Sequence, residues 1–182
     1  MRLMAPSLAE PPLTDGTVTL RRFRDDDRAA VLAAMSDPLV ARWLDMPAEP
    51  TNEHFDELLR MIDAGWADGS RCDLAIAGAD DGWLGAVIAS KRNRDNWELA
   101  YLAPASSRGN GYVSRAVRLA CDWLFAGGVE RIEIRTHPEN IPSQKLAERC
   151  GFHLEGTERR SFTLHGVRND AILWSLLPDD AR

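Results

Sequence analysis

The sequence predicts an α/β (or α+β) fold built on one mixed sheet of about seven strands with helices on both faces. Three observations carry it. Strand-type runs recur at 18–23, 73–79, 83–90, 96–102, 131–136, 152–159 and 167–177. Between Val113 and Leu124, by contrast, Val113, Ala116, Val117, Ala120, Cys121 and Leu124 follow the i, i+3, i+4, i+7, i+8, i+11 spacing of one helix face. Helical and strand segments then alternate in the second half of the chain, which calls for crossovers and therefore for a mixed sheet.

Each element has its own local cause. Residues 1–15 are rich in proline and small residues and read as a flexible tail, leaving residues 16–182 as a single domain. The first strand sets Val18, Leu20 and Arg22 against Thr17, Thr19 and Arg21. Asp25 to Asp27 supply acidic N-terminal residues for a helix through Ala29 to Leu32. Two or three helices fill the stretch to Gly69, with breaks at Pro38 and Pro47 to Pro50, and Asn52 is the expected cap ahead of Phe55, Leu58, Leu59 and Ile62. Ala79 to Gly82 make the turn of a hairpin. Pro104 ends the strand at 96–102, which puts Trp97, Leu99 and Tyr101 on one face, and Gly127-Gly128 closes the helix that follows. Asn140 caps another helix, tolerates Pro142 in its first turn and directs Leu146, Ala147 and Cys150 inward before Gly151 ends it. A loop around His165-Gly166 separates the last two strands.

Composition narrows the function. A chain of 182 residues buries roughly 70% of its unfolded surface without help from disulfides or metal. The net charge of −6 argues against generic nucleic-acid binding, which needs a basic surface, and suits a cationic acceptor. No apolar run approaches a membrane span and the N-terminus has no signal-peptide core, so a cytoplasmic location is expected. Cys72, Cys121 and Cys150 have neither disulfide-framework nor zinc spacing and read as small core hydrophobes, and no metal site is expected.

The segment Tyr101 to Tyr112 carries the most chemistry. A strand ends, a loop with Gly109 and Gly111 follows, and a helix begins. A helix N-terminus offers unpaired N–H groups and partial positive charge, so such a loop can cradle a pyrophosphate, and Arg108 adds a cation beside it. A dinucleotide fingerprint would need a third glycine where Ser114 stands, and a P-loop would need a Gly-Lys-Ser/Thr run that is absent.

Leu20-Arg21-Arg22-Phe23, Trp97 to Leu102, Arg108-Gly109-Asn110-Gly111-Tyr112, and Asn140-x-x-Ser143 through Gly151-Phe152 together resemble the GNAT superfamily of acyl-CoA-dependent N-acetyltransferases, in particular its RimJ/RimL-type branch, which includes ribosomal-protein N-terminal acetyltransferases. The resemblance spans nearly all of residues 16–178. It implies a GNAT fold whose backbone N–H groups around Arg108, Gly109, Asn110, Gly111 and Tyr112 hold the pyrophosphate of acetyl-CoA. It implies that pantetheine lies between two splayed strands near Tyr101, Leu102 and Ala103, that the Asn140 side chain faces the cofactor arm, and that a backbone N–H near Leu102 meets the oxyanion. Ser106 stands where the family pattern usually has Gln or Arg, and Ala147 where many relatives have a tyrosine that protonates the departing thiolate. The branch pattern puts Ser143 in that role, where the positive end of its helix would help it.

Acetyl transfer needs a neutral amine. An α-amine is about a tenth neutral at pH 7, whereas a lysine amine is neutral in under about one part in a thousand, so a terminal amine needs little help from a base. Glu98 is the first candidate base and His137 the second, with a water chain as the third possibility. Trp43, Trp66 and the Pro47 to Pro50 loop fall where relatives build the acceptor pocket. The implied reaction is direct transfer of acetyl from acetyl-CoA, with coenzyme A as product, to a primary amine on a protein N-terminus or small molecule. A transferase of another acyl group such as succinyl, and an acyl-CoA-binding module without turnover, stay open beside it. A homodimer is implied by the resemblance, with C-terminal edge strands available for pairing.

Overall fold

The computed structural model describes residues 10–93 and 95–180. Eight strands form one sheet in the order β1-β2-β3-β4-β5-β6-β8-β7. The chain runs β1 (Leu13–Thr14), β2 (Thr19–Arg21), α1 (Arg28–Met35), α2 (Pro38–Trp43), α3 (Asn52–Asp68), β3 (Arg71–Ala77), β4 (Trp83–Lys91), β5 (Asn96–Leu102), α4 (Tyr112–Ala126), β6 (Arg131–Thr136), α5 (Ile141–Arg149), β7 (His153–Leu164) and β8 (Val167–Leu176). Neighbouring strands are antiparallel except β5 and β6, which run parallel.

The mixed sheet and its helices agree with the sequence pattern, with one strand more than the pattern counts. The extra strand is β1, which pairs Leu13 with Leu20 and Thr14 with Thr19 inside the stretch expected to be tail. Two residues are too few to show a period. The rest of that tail, residues 1–9, lies outside the described residues. β3 is buried on both faces: Leu74 and Ile76 belong to the main core, and Asp73, Ala75 and Ala77 on the alternate face are buried as well. The main core joins them to Val117, Ala120 and Leu124 of α4 and to Ile132 and Ile134 of β6. Cys72, Cys121 and Cys150 are 2%, 1% and 2% exposed, as small core hydrophobes should be.

Some boundaries move for local reasons. β2 is shorter than the expected 18–23 and buries Arg21, whose guanidinium donates to both carboxylate oxygens of Asp27 at 2.8 Å. The cap of α3 is Thr51, one residue before the expected Asn52, and the His54 ring nitrogen accepts the Thr51 N–H at 3.0 Å. β7 continues to Leu164, five residues beyond its expected end, because the hairpin to β8 closes on two residues, His165 and Gly166, with φ of 50° and 74°.

Candidate active site

The site begins where two strands part. β5 pairs with β6 only from Asn96–Arg131 to Glu98–Glu133. Beyond that rung β5 stays with β4 as far as Leu102, while β6 follows β8 to Thr136. The inner edges of residues 99–102 and 134–136 therefore lack each other as partners, and a cavity of about 690 Å³ opens between them, bounded also by the glycine loop, α2 and the start of α5. Gly85 helps place β5: a Cβ there would meet the Leu102 carbonyl oxygen at 2.4 Å, and its φ is 153°.

The loop after β5 is tied from within. Ser107 is buried and its hydroxyl donates to the Leu84 carbonyl at 2.5 Å. The Asn110 amide donates to the carbonyls of Ser107 and Arg108 at 3.4 and 3.2 Å. Gly109 and Gly111 take φ of 79° and 77° with open space where a Cβ would be, so the backbone enters α4 at Tyr112 uncovered by side chains. Arg108, Gly109, Gly111 and Tyr112 line the cavity, whereas Asn110 does not. The Arg108 side chain departs from the role the sequence suggested. Its Nε donates to the Ala103 carbonyl at 3.0 Å and its Nη2 to Asp37 Oδ2 at 2.6 Å. Asp37 is the N-cap of α2 and also accepts the Leu39 N–H, which with Arg108 holds its carboxyl below the usual carboxylate range. The cation is thus shared with α2, and the anion-binding features left to the loop are its N–H groups and the α4 terminus.

On the opposite wall Asn140 caps α5, its side-chain oxygen accepting the Ser143 N–H at 3.3 Å. Ser143 Oγ lies 2.9 Å from the Tyr101 hydroxyl, which also donates toward the Ser143 carbonyl at 3.2 Å. Tyr101, Asn140 and Ser143 all line the cavity, as do Leu102 and Ala103. Burial pushes the Tyr101 phenol well above its ordinary value, so it stays protonated at neutral pH. The sequence pointed to the backbone at Tyr101. Its hydroxyl was missed, and the available signal was a tyrosine sharing an inward face with Trp97 and Leu99.

Glu98 stands apart from the cavity. It sits on the last paired rung, before the strands part, and outside the cavity lining. Its carboxylate is engaged by Arg92 Nε at 3.1 Å and Arg135 Nη1 at 3.3 Å. Arg135 is further held by Glu133 at 2.9 Å and Glu158 at 2.7 Å. His137 does reach the cavity, but its Nδ1 accepts the Glu139 N–H at 3.1 Å and its Nε2 lies 3.2 Å from Asn169 Oδ1, so neither nitrogen is left to take a proton. Of the aromatic candidates, Trp43 lines the cavity. Trp66 instead packs on Trp123 at 5.9 Å and donates to the Asp73 carbonyl, and the Pro47 to Pro50 loop stays outside the lining. Among the described residues no group of three or more His, Cys, Asp or Glu could hold a metal ion, and no helix is long and apolar enough to cross a membrane.

A parted parallel strand pair, a glycine loop opening a helix and a second capped helix facing it together enclose one wedge-shaped cavity. The family model for the acetyltransferase (GNAT) domain matches residues 17–153. The chain belongs to this GNAT acetyltransferase family, whose fold uses acyl-CoA. It is 27% identical over 165 residues to a Bacillus licheniformis protein named "Uncharacterized N-acetyltransferase p20", covering 88% of this chain and 92% of that one. It is 34% identical over 107 residues to "Probable N-acetyltransferase YjcK" of Bacillus subtilis, an alignment spanning 56% of this chain and only 59% of that relative. Among solved structures, Mycobacterium smegmatis RimJ in complex with CoA-disulfide superposes with a TM-score of 0.80 at 22% identity, covering 90% of this chain and 83% of that one.

Proposed function

We propose that the protein transfers an acetyl group from acetyl-CoA to a primary amine by direct attack. The observation that carries this is the hydroxyl pair Ser143–Tyr101, 2.9 Å apart on the wall of the cavity between the parted strands. When bound, acetyl-CoA supplies a thioester carbonyl and a thiolate leaving group. The loop N–H groups from Arg108 to Tyr112 hold its pyrophosphate at the α4 terminus. The unpaired inner edge of β5 past Glu98 supplies backbone groups to the pantetheine arm and to the oxygen that gains charge, near Leu102. As the amine nitrogen forms its bond to the carbonyl carbon and the carbon–sulfur bond breaks, Ser143 gives its proton to the sulfur and regains one through water from the ammonium, while the Tyr101 hydroxyl holds the serine in place. Burial keeps the phenol protonated, so it serves as a neutral hydrogen-bond partner that orients Ser143. With Glu98 and His137 both committed to other partners, the ammonium proton leaves through water.

The location proposed is the cytoplasm and the assembly a homodimer, the latter supported by β7 forming one edge of the sheet. The test is a thermal-shift titration with acetyl-CoA, CoA, succinyl-CoA and NAD, followed by thiol release with a panel of amines and peptides. A ligand at 100 times its Kd raises stability by about 2.7 kcal/mol, several degrees in Tm. A shift with acetyl-CoA but not NAD, followed by amine-dependent thiol release, supports the proposal. Binding without turnover of any amine would leave a binding module, and no shift with any CoA species would overturn the acetyl-CoA site.

A further inference from the structure

Part of the cavity lining is made of rings. The His137 ring lies 5.1 Å from Trp43 with planes inclined at 42°, and 6.2 Å from Phe162 edge-on at 85°. All three line the cavity, with Leu39 and Leu44 beside them. His137 is fixed in this cluster by its hydrogen bonds. Nδ1 must accept, because the Glu139 N–H points at it. Asn169 donates its amide to the Val167 carbonyl at 2.7 Å, which orients its oxygen to accept from Nε2–H. The network therefore places the ring hydrogen on Nε2 and locks the ring plane. A ring held this way is a surface for packing.

The charges of the lining point the same way. Among the described residues that line the cavity there is no aspartate or glutamate. Its cations are Arg108, Arg135 and Arg149. Arg108 is paired with Asp37, and Arg135 with Glu98, Glu133 and Glu158. An acceptor with a second ammonium would find no carboxylate on these walls, and burying an unpaired charge is costly. An acceptor whose remaining bulk is flat and apolar would meet the rings of this wall, of which Trp43 also carries the Arg42 guanidinium 4.6 Å from its ring centre.

On the strength of the amine transfer above, we propose that the acceptor is an arylalkyl primary amine: one amine one or two carbons from an aromatic ring, either free or as the first residue of a peptide. Trp43, His137 and Phe162 are then specificity residues that position the ring.

The experiment is equilibrium dialysis against CoA-saturated protein with 2-phenylethylamine, hexylamine, spermidine and a tetrapeptide amide beginning with Phe, alongside thiol release from acetyl-CoA with the same four. The expected result is that at least one aryl ligand binds at least about tenfold more tightly than spermidine and hexylamine, with the same order in kcat/KM. The free amine and the peptide separate the two sources of the ring. Phe162→Ala and His137→Ala should each reduce the aryl preference over hexylamine by about fivefold or more, while the CoA-induced rise in Tm stays at the wild-type value. Spermidine equal to or better than both aryl ligands overturns the proposal. So does an aryl preference that survives in both variants, and so does failure of every amine to bind the CoA-saturated protein. The CoA-induced Tm rise by itself tests the cofactor site, so its loss in the wild type would tell against the transferase proposal and not against the acceptor class.

Discussion

Arg108 and Asp37 stand 71 positions apart in the chain and 2.6 Å apart in the fold, joining the loop at the head of α4 to the cap of α2. Because α2 brings Leu39 and Trp43 to the cavity, the carboxylate of Asp37 links that wall to the glycine loop. Asp37→Ala removes a helix cap and a partly buried ion partner together. Urea unfolding should show a loss of about 1–3 kcal/mol. Steady-state kinetics should show a several-fold rise in acceptor KM with a smaller change in kcat.

The hydroxyl pair makes a second prediction. Ser143→Ala should lower kcat by about 10²-fold, the lower end for loss of a positioned acid, while acetyl-CoA still raises Tm as in the wild type. Tyr101→Phe removes the hydrogen bond that orients Ser143 and should lower kcat less. The double variant should be no slower than Ser143→Ala within about twofold, since groups that act as a unit are not additive. Multiplying effects in the double variant would separate the two hydroxyls.

Glu98→Gln distinguishes an ion-pair residue from a base. With its partners at 3.1 and 3.3 Å and partly open to solvent, the expected stability loss is under about 1 kcal/mol. The value of kcat should stay within about threefold of the wild type and the acid limb of the pH–rate profile should not move. A fall of about a hundredfold would return Glu98 to the catalytic role.

Tyr101 also predicts a pH dependence of stability. Its folded pKa is raised, mainly by burial, above the ordinary value of about 10. Above that pH the unfolded chain gives up the phenolic proton while the folded chain keeps it, so the unfolded state binds fewer protons and stability falls as pH rises. The contribution is fully present below about pH 10 and is lost on the way up through the folded value. Urea midpoints compared between about pH 8.5 and 10.5 should fall less in Tyr101→Phe than in the wild type.

Gly85→Ala should be costly at a distance from any chemistry. The added carbon meets the Leu102 carbonyl at 2.4 Å in a backbone conformation that side chains rarely adopt. A loss of at least about 2 kcal/mol in chemical unfolding is expected, together with weaker CoA binding, because Leu102 ends the strand that opens the wedge.

Much of this architecture was legible from local pattern. The run Asn96–Leu102 is bounded by a turn and Pro104, and Arg131–Thr136 alternates cleanly, so both strands fall where the pattern places them. Asn140 serves as a cap because capping needs only neighbours in sequence. What stayed hidden depends on residues brought together from afar. The Tyr101 hydroxyl meets Ser143 across 42 positions and Arg108 meets Asp37 across 71, and no period or spacing reports such pairs. The place of Glu98 on the last rung shared by β5 and β6 is likewise a matter of pairing between distant strands, which the local pattern does not report. Trp43 and Trp66 look alike in sequence, yet one faces the cavity and the other packs on Trp123.

The burial of Cys72, Cys121 and Cys150 bears on how the reaction can be watched. A disulfide reagent that colours on meeting sulfhydryl groups finds none on the surface of the folded enzyme. In a turnover assay each equivalent of colour therefore counts one acyl group handed over, with no correction for the catalyst. The same reagent without an acceptor becomes a clock for unfolding, since colour then develops only as fast as the core opens.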